Sequence, residues 1–303
     1  MPSVPRWKEI SKYPVVFGIA LLATGVTIAW WTGANISPFF ENAQIRRGQF
    51  WRLATSVLPH LDILHLAFNL YWLWVLGTVV ERVYGGLRTA LLLLVFAIGS
   101  SSWDFALAQG GVGLSGVGYG LFGFLYVLSK YDERFKDSLD KRTVNLFIGW
   151  FFVCILVTAA HLFNVANVAH AAGGVLGLLL GYALVLPARR TLIASTIGVL
   201  LVFGFCGATF GRPYVNLSSY GGYEEARWGY DSLIANRNGE AIRWYRDAVK
   251  YQPKVSSFWF NLGIVYQRSK DEGAASLAYQ RAYDLEPSKP EYAEAAGKEV
   301  RSK

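Results

Sequence analysis

Apolar residues gather into seven stretches, near 14–33, 61–80, 87–108, 114–129, 144–163, 167–186 and 191–211. Each approaches the roughly 17–25 residues that an α-helix needs to cross a hydrocarbon core. The pattern predicts a polytopic membrane helix bundle with seven transmembrane helices. The fourth stretch is short and rich in glycine, and hydropathy alone ranks it weakest. The first follows the segment 1–13, which holds Arg6, Lys8 and Lys12 and is expected to be cytoplasmic. Its apolar run is too long for a secretory h-region, and Trp30 and Trp31 close it as interfacial anchors do, so it is expected to be retained.

From Gly221 the composition turns polar and a repeat emerges. Gly229, Ala241, Tyr245, Ala248 and Pro253 recur as Gly263, Ala275, Tyr279, Ala282 and Pro287, each displaced by 34 residues. In the second copy Trp259, Leu262, Gly263 and Tyr266 fit W-x₂-L-G-x₂-Y, the tetratricopeptide pattern of paired antiparallel helices. The expected fold class is all-α: a membrane bundle over 14–211, then a small helical repeat domain over 221–303. Two repeats are fewer than the three usually needed for a free-standing array, so this domain should lean on a capping helix in 290–300 or on a protein partner.

Composition agrees with the membrane reading, since hydrophobic residues make up 53% and charged residues only 17%. The net charge of +8 falls almost wholly on the apolar part: residues 221–303 hold 13 basic and 12 acidic side chains. Loop charge therefore explains the basic balance, and nothing supports a nucleic-acid partner. With the N-terminus inside, Arg6, Lys8, Lys12, Arg82, Arg88, Lys130, Arg134, Lys136, Lys141, Arg142, Arg189 and Arg190 are cytoplasmic. Only Arg46, Arg47, Arg52 and Arg212 lie opposite. Lys and Arg are retained inside during insertion, and seven crossings then place the repeats outside the cytoplasm. The long loop 34–60 mixes Phe39, Phe40, Phe50 and Trp51 with Arg46, Arg47 and Arg52, a composition suited to the interface plane. Cys154 and Cys206 read as small apolar fillers.

The second stretch carries His65 and Asn69, four apart and so on one helix face. Two polar side chains in an apolar helix need partners or water inside the protein; they either bond neighbouring helices together or build a site. The fourth opens with Gly113-Leu-Ser115-Gly116, with Tyr119 one turn on and Gly116, Gly120 and Gly123 suited to close packing. The sixth holds His170, with Gly173 and Gly177 as a GxxxG pair that lets a neighbouring backbone approach. A tight crossing of these two helices would bring His170 to Ser115, and a base at hydrogen-bond reach is what a weakly nucleophilic hydroxyl requires. The charge-derived topology sets Ser115, His170, His65 and Asn69 in the same outer half. Asn69, the His65 ring and the Ser115 N–H are candidate donors to an oxyanion. Tyr119, Gly113, Gly116 and Gly173 are supporting positions.

HxxxN, GxSG with the following Tyr119, and AHxxGxxxG together resemble the rhomboid family of intramembrane serine proteases over about residues 35–190. The resemblance implies a Ser115–His170 catalytic dyad, an oxyanion site with His65 and Asn69, and Tyr119 packed beside the imidazole. Trp51-Arg52 matches the family's WR motif, Gly77-x₃-Glu81-x₃-Gly85 matches its GxxxExxxG motif, and the seventh helix resembles the six-plus-one layout. Rhomboids with external tetratricopeptide repeats among bacteria imply a bacterial plasma membrane as location. His60 matches a position where the family often has a further histidine, Ser56 stands at another, and both are left outside the core site. Asp104 is expected to be an interfacial cap rather than a third member of the dyad, and His161 a helix-end residue.

The expected partners are the lipid bilayer, single-pass transmembrane substrates and a protein partner of the repeats. No cofactor or metal is implied, and no HExxH is present. Competing readings are a catalytically silent rhomboid relative and a membrane-anchored scaffold that works through its repeats. The topology makes a direct prediction. Protease treatment of intact spheroplasts should remove the last eighty or so residues; protection of that segment until lysis would mean an even number of crossings.

Overall fold

The computed structural model describes residues 7–301, and among these every regular element is helical. The segment through Arg6 lies outside the described residues. Two compact units divide at Arg212/Pro213.

The first unit contains α1 (Pro14–Trp31), the short α2 (Arg52–Thr55), α3 (Ile63–Trp72), α4 (Thr78–Leu107), α5 (Ser115–Tyr131), α6 (Lys141–Ala159), α7 (Asn167–Val185) and α8 (Arg190–Cys206). A π-helical turn, Leu73–Gly77, joins α3 to α4. Gly85, at φ 74° and ψ 168°, breaks α4 and lets the chain reverse. Among the described residues, five helical stretches are long and apolar enough to span a bilayer: 14–31, 63–107, 141–159, 167–185 and 187–215. The chain is that of a multi-pass membrane protein, and the 63–107 stretch is the one that Gly85 divides.

Local chemistry sets the helix ends. Pro14 opens α1, where its missing N–H costs nothing. Asp62 caps α3 by accepting from His65 N at 2.9 Å. Asp140 caps α6 by accepting from Thr143 N at 2.7 Å, a bond that holds its carboxyl below the usual range. That cap starts α6 at Lys141, three residues before the apolar run suggests, and the left-handed His161 (φ 56°) closes the turn after it.

Exposure sorts the helices into core and rim. Val117, Leu121, Phe124, Leu125 and Leu128 of α5 are all buried, so the shortest and most glycine-rich of the predicted segments is the central one. Leu21 and Ile28 on α1, Phe152 and Leu156 on α6, and Leu192 and Phe203 on α8 are exposed apolar residues, as lipid contact requires. The α5–α7 crossing is the most extensive in this unit. A Cβ at Gly173 would strike Gly116 O, one at Gly177 would strike Gly120 O, and one at Gly123 would strike Gly174 O. The two backbones touch directly.

At the opposite end, buried Glu81 accepts from Val15 N and Val16 N, both at 2.9 Å, and satisfies the first N–H groups of α1. Gly77 and Gly86 leave room for the side chains of Val16 and Val15. In the first loop, buried Arg52 donates to Gln49 Oε1 (2.8 Å), Phe40 O (2.9 Å) and Ser37 O, gathering the loop around one guanidinium.

The second unit continues with α9 (Arg212–Val215, which spans the boundary), α10 (Tyr223–Ile234), α11 (Asn238–Tyr251), α12 (Ser256–Arg268), α13 (Glu272–Leu285) and α14 (Pro290–Ala295). The four longer helices form two hairpins, α10–α11 and α12–α13. Gly229 faces the Tyr245 ring and Gly263 faces the Tyr279 ring, and a Cβ at either glycine would collide. Asn236 (φ 58°) and Lys270 (φ 61°), also 34 residues apart, make the same left-handed turn between the helices of each hairpin. The Tyr292 ring of α14 lies 4.7 Å from that of Phe260 and covers the end of the second hairpin.

The crossing is open to a paired test. Gly177→Val should force α5 and α7 apart and cost about 1–3 kcal/mol or more. On the same helix, Gly174→Ala has nothing within 4 Å of its new Cβ and should be neutral or slightly stabilising. Thermal melts of the two purified variants in detergent check the difference.

Candidate active site

The chain leaves α4 at Leu107 and reaches α5 through residues 108–114. Gly110 (φ 92°) and Gly113 (φ 103°) supply left-handed turns in this loop. Gly113 has no room for a side chain either, because a Cβ there would lie 2.7 Å from Cε1 and Nε2 of His65. Three bonds shape the loop: Gly111 N donates to Glu41 Oε2 (2.9 Å), Gly113 N to Ser56 O (3.3 Å) and Leu114 N to His60 Nε2 (3.3 Å). Ser115 is then the first residue of α5, where the N–H groups of the opening turn lack helical partners and favour negative charge.

Across the glycine crossing, His170 Nε2 lies 2.8 Å from Ser115 Oγ. The imidazole is buried and stacks on the Tyr119 ring, at 4.7 Å between centroids and 27° between planes. Tyr119 OH donates to Phe147 O at 3.1 Å, which fixes the ring on which the histidine rests. His170 Nδ1 is buried without a hydrogen-bond partner among the described residues. When Nε2 accepts from the serine the proton must sit on Nδ1, so here the stacked ring, and no carboxylate, orients the imidazole.

Asp104 instead accepts from Ala169 N at 3.2 Å, capping the first turn of α7 next to His170. Asn69 is buried and donates through Nδ2 to His65 O at 2.8 Å, leaving its second amide N–H for another acceptor. Among the described residues Asn69 makes no hydrogen bond to Ser115. The His65 ring meets Gly113 on one side and the His60 ring, 4.9 Å away, on the other. The structure thus joins Ser115, His170 and Tyr119 directly, sets His65 against the loop before the serine, and reserves Asn69 one turn further along.

Sequence reasoning left His60 outside the site and gave Glu41 no role. His60 Nδ1 donates to Leu58 O at 2.9 Å, which leaves Nε2 as the acceptor for Leu114 N and makes the ring a strut under the residue before Ser115. Its position five residues ahead of His65 was the available signal; Glu41 gave none. Behind Ser115, Glu41, Ser100, Ser101, Asp104 and Gly111 line a polar cavity of about 10 Å³, room for about one water. No cluster of His, Cys, Asp and Glu suited to a metal occurs among the described residues.

Residues 47–187 match the rhomboid domain. That stretch contains His65, Asn69, Ser115, Tyr119 and His170. The chain is similar to rhomboid protease GluP of Bacillus subtilis, at 28% identity over 75% of this chain and 50% of that protein. It is also similar to rhomboid protease GlpG of Pectobacterium atrosepticum (32% identity, 44% of this chain and 48% of that protein). The corresponding Yersinia pseudotuberculosis protein is 30% identical over the same shares. The chain spans about half the length of these relatives. The matched stretch lies within the first unit.

The stack and the hydroxyl of Tyr119 are separable. Tyr119→Phe keeps the ring and loses the bond to Phe147 O, and should cost about 0.5–1.5 kcal/mol of stability while leaving Ser115 as reactive as before. Tyr119→Ala removes the support of the imidazole and should slow labelling of Ser115 by a fluorophosphonate. Equal labelling of all three proteins would show that the stack does not orient His170.

Proposed function

We propose that this protein is an intramembrane serine endopeptidase that cleaves transmembrane or juxtamembrane segments through a Ser115–His170 dyad. The observation that carries the reading is the 2.8 Å contact between Ser115 Oγ and His170 Nε2 inside a rhomboid-type membrane unit. His170 takes the hydroxyl proton as Ser115 Oγ bonds to the scissile carbonyl carbon. The carbonyl oxygen becomes an oxyanion that the Ser115 N–H, the His65 ring and Asn69 stabilise. His170 then returns the proton to the leaving amine, which departs and leaves an acyl-enzyme. Water, deprotonated by His170, releases the second product. The polar cavity behind Ser115 offers one water a place within an otherwise apolar bundle.

In this reading the membrane part crosses the bilayer seven times, with the N-terminus cytoplasmic and the site in the outer half. The home is a bacterial plasma membrane. A helical substrate hides its carbonyls in intrahelical hydrogen bonds, so it must unwind before Ser115 can reach one. Cleavage accordingly favours a small residue before the cut and a helix breaker nearby, in the outer third of a single-pass client. The 34-residue repeat and its two hairpins support a tetratricopeptide-type unit, which holds clients or a protein partner near the site and raises their local concentration.

Labelling with a fluorophosphonate or isocoumarin, followed by peptide mapping, tests the proposal. Ser115 should carry the adduct, and Ser115→Ala or His170→Ala should lower cleavage of a transmembrane substrate more than about 10³-fold while the protein stays folded and inserted. Substantial turnover by purified Ser115→Ala would overturn the mechanism, and an unlabelled, inactive wild type would favour a silent relative or a scaffold.

A further inference from the structure

The position of Ser115 Oγ depends on the loop 108–114, and that loop is held at its start as well as along its length. The holder is Arg212, just past the outer end of α8. Its Nε donates to Phe105 O at 2.7 Å and its Nη2 to Ala108 O at 3.2 Å. Its guanidinium carbon sits 3.9 Å over the Phe105 ring. Phe105 O and Ala108 O belong to the last turn of α4 and the first loop residue, where helical N–H partners run out. One planar cation therefore satisfies the carbonyls from which the loop departs. Three residues on, Glu41 grips Gly111 N, and six on, His60 grips Leu114 N.

Arg212 is brought there by an irregular backbone. After Cys206 the helix widens into a π turn, Gly207–Gly211, before Arg212 resumes α-geometry. Arg46 Nε donates to Thr209 O at 3.1 Å, the Phe50 and Phe205 rings meet at 5.1 Å, and Ala208 is buried with Ile45, Leu53 and Phe105. These contacts fix both the depth and the rotation of the helix end. Packing alone would be served by an apolar side chain at 212. An arginine that is only 4% exposed is costly to desolvate, and that cost needs specific bonds to offset it. Two of those bonds go to carbonyls at the root of the loop that carries Ser115.

We propose that Arg212 is a positioning residue for Ser115, and that α8 thereby contributes to the reaction as well as to the bundle. The inference rests on Ser115 being the nucleophile. Without Arg212 the carbonyls of Phe105 and Ala108 lose these donors, the loop shifts at its root, and Ser115 Oγ drifts from His170 Nε2. Substrate contacts remain, so the loss falls on the chemical step.

The full-length protein is purified in detergent, and cleavage of a generic transmembrane substrate is measured together with the rate of fluorophosphonate labelling. Arg212→Met should lower kcat and the labelling rate by similar factors, about 10–100-fold, with KM within about twofold, since sub-ångström to ångström misplacement has effects of that size. Arg212→Lys, which keeps the charge and fewer donors, should fall between that variant and wild type. Trp103→Phe is the control: it removes the bond from Trp103 Nε1 to Leu200 O (3.1 Å), which ties α4 to α8 away from the loop, and should lower Tm without lowering kcat. Wild-type kcat in folded Arg212→Met overturns the inference. So does a loss, in both Arg212→Met and Trp103→Phe, that only matches the unfolded fraction. If Arg212→Met does not fold, Arg212→Lys decides: reduced kcat supports the inference and wild-type kcat overturns it. A wild type that neither cleaves nor labels removes the parent reading of Ser115, a result distinct from all of these.

Discussion

Everything at the site hangs on two helices whose backbones touch. Gly116 and Gly120 of α5 meet Gly173 and Gly177 of α7 with no space for even a methyl group between them. In a bilayer, where lipid tails are as apolar as side chains, such close approach is what holds helices together, through van der Waals contact over a large matched surface. The same closeness sets the geometry of the site. Ser115 lies one residue before the first of these glycines and His170 three before its partner, so a 2.8 Å contact follows once the crossing is made. A wider crossing, built on alanine or leucine, would leave the imidazole short of the hydroxyl. In the proposed reaction, packing and nucleophile activation become one constraint.

The crossing fixes His170 more firmly than Ser115. His170 is set in a helix, capped next door by Asp104 and backed by a tyrosine ring. Ser115 stands at the end of a loop with two left-handed glycines, and such a loop has many ways to be wrong. The protein answers with polar anchors drawn from distant parts of the chain: Glu41 and His60 from the first loop and its end, Ser56 O beside them, and Arg212 from beyond α8. Each engages main-chain N–H or C=O groups of the loop or its root. Backbone anchoring of this kind is indifferent to the loop's side chains.

The second unit solves a different problem with a related device. Each hairpin presses a glycine against a tyrosine ring, and each turns through a residue with positive φ at the same place in the repeat. The period visible in sequence is thus a period in contacts, with one aromatic socket per hairpin. Burial of Trp244, Tyr245 and Tyr283 gives this unit a core of its own, independent of lipid.

Much of this was legible in the residues alone. Hydropathy marked the membrane stretches, because a bilayer accepts only segments that satisfy their own backbone. Spacing marked His65 with Asn69, and the glycines with Ser115 and His170, because one helical turn places residues three or four apart on one face. The 34-residue recurrence announced the hairpins. What stayed hidden depended on contacts between segments far apart in sequence. Glu41 carries no motif, His60 only its place ahead of His65, and Arg212 none, since a side chain that bonds to backbone needs no particular neighbours of its own. Their partners are 70, 54 and 107 residues away, and only the folded chain brings them together. Local periodicity determined which helices form and which faces they show; the pairing of those faces, and with it the angle at which a serine meets a histidine, was decided by the tertiary structure.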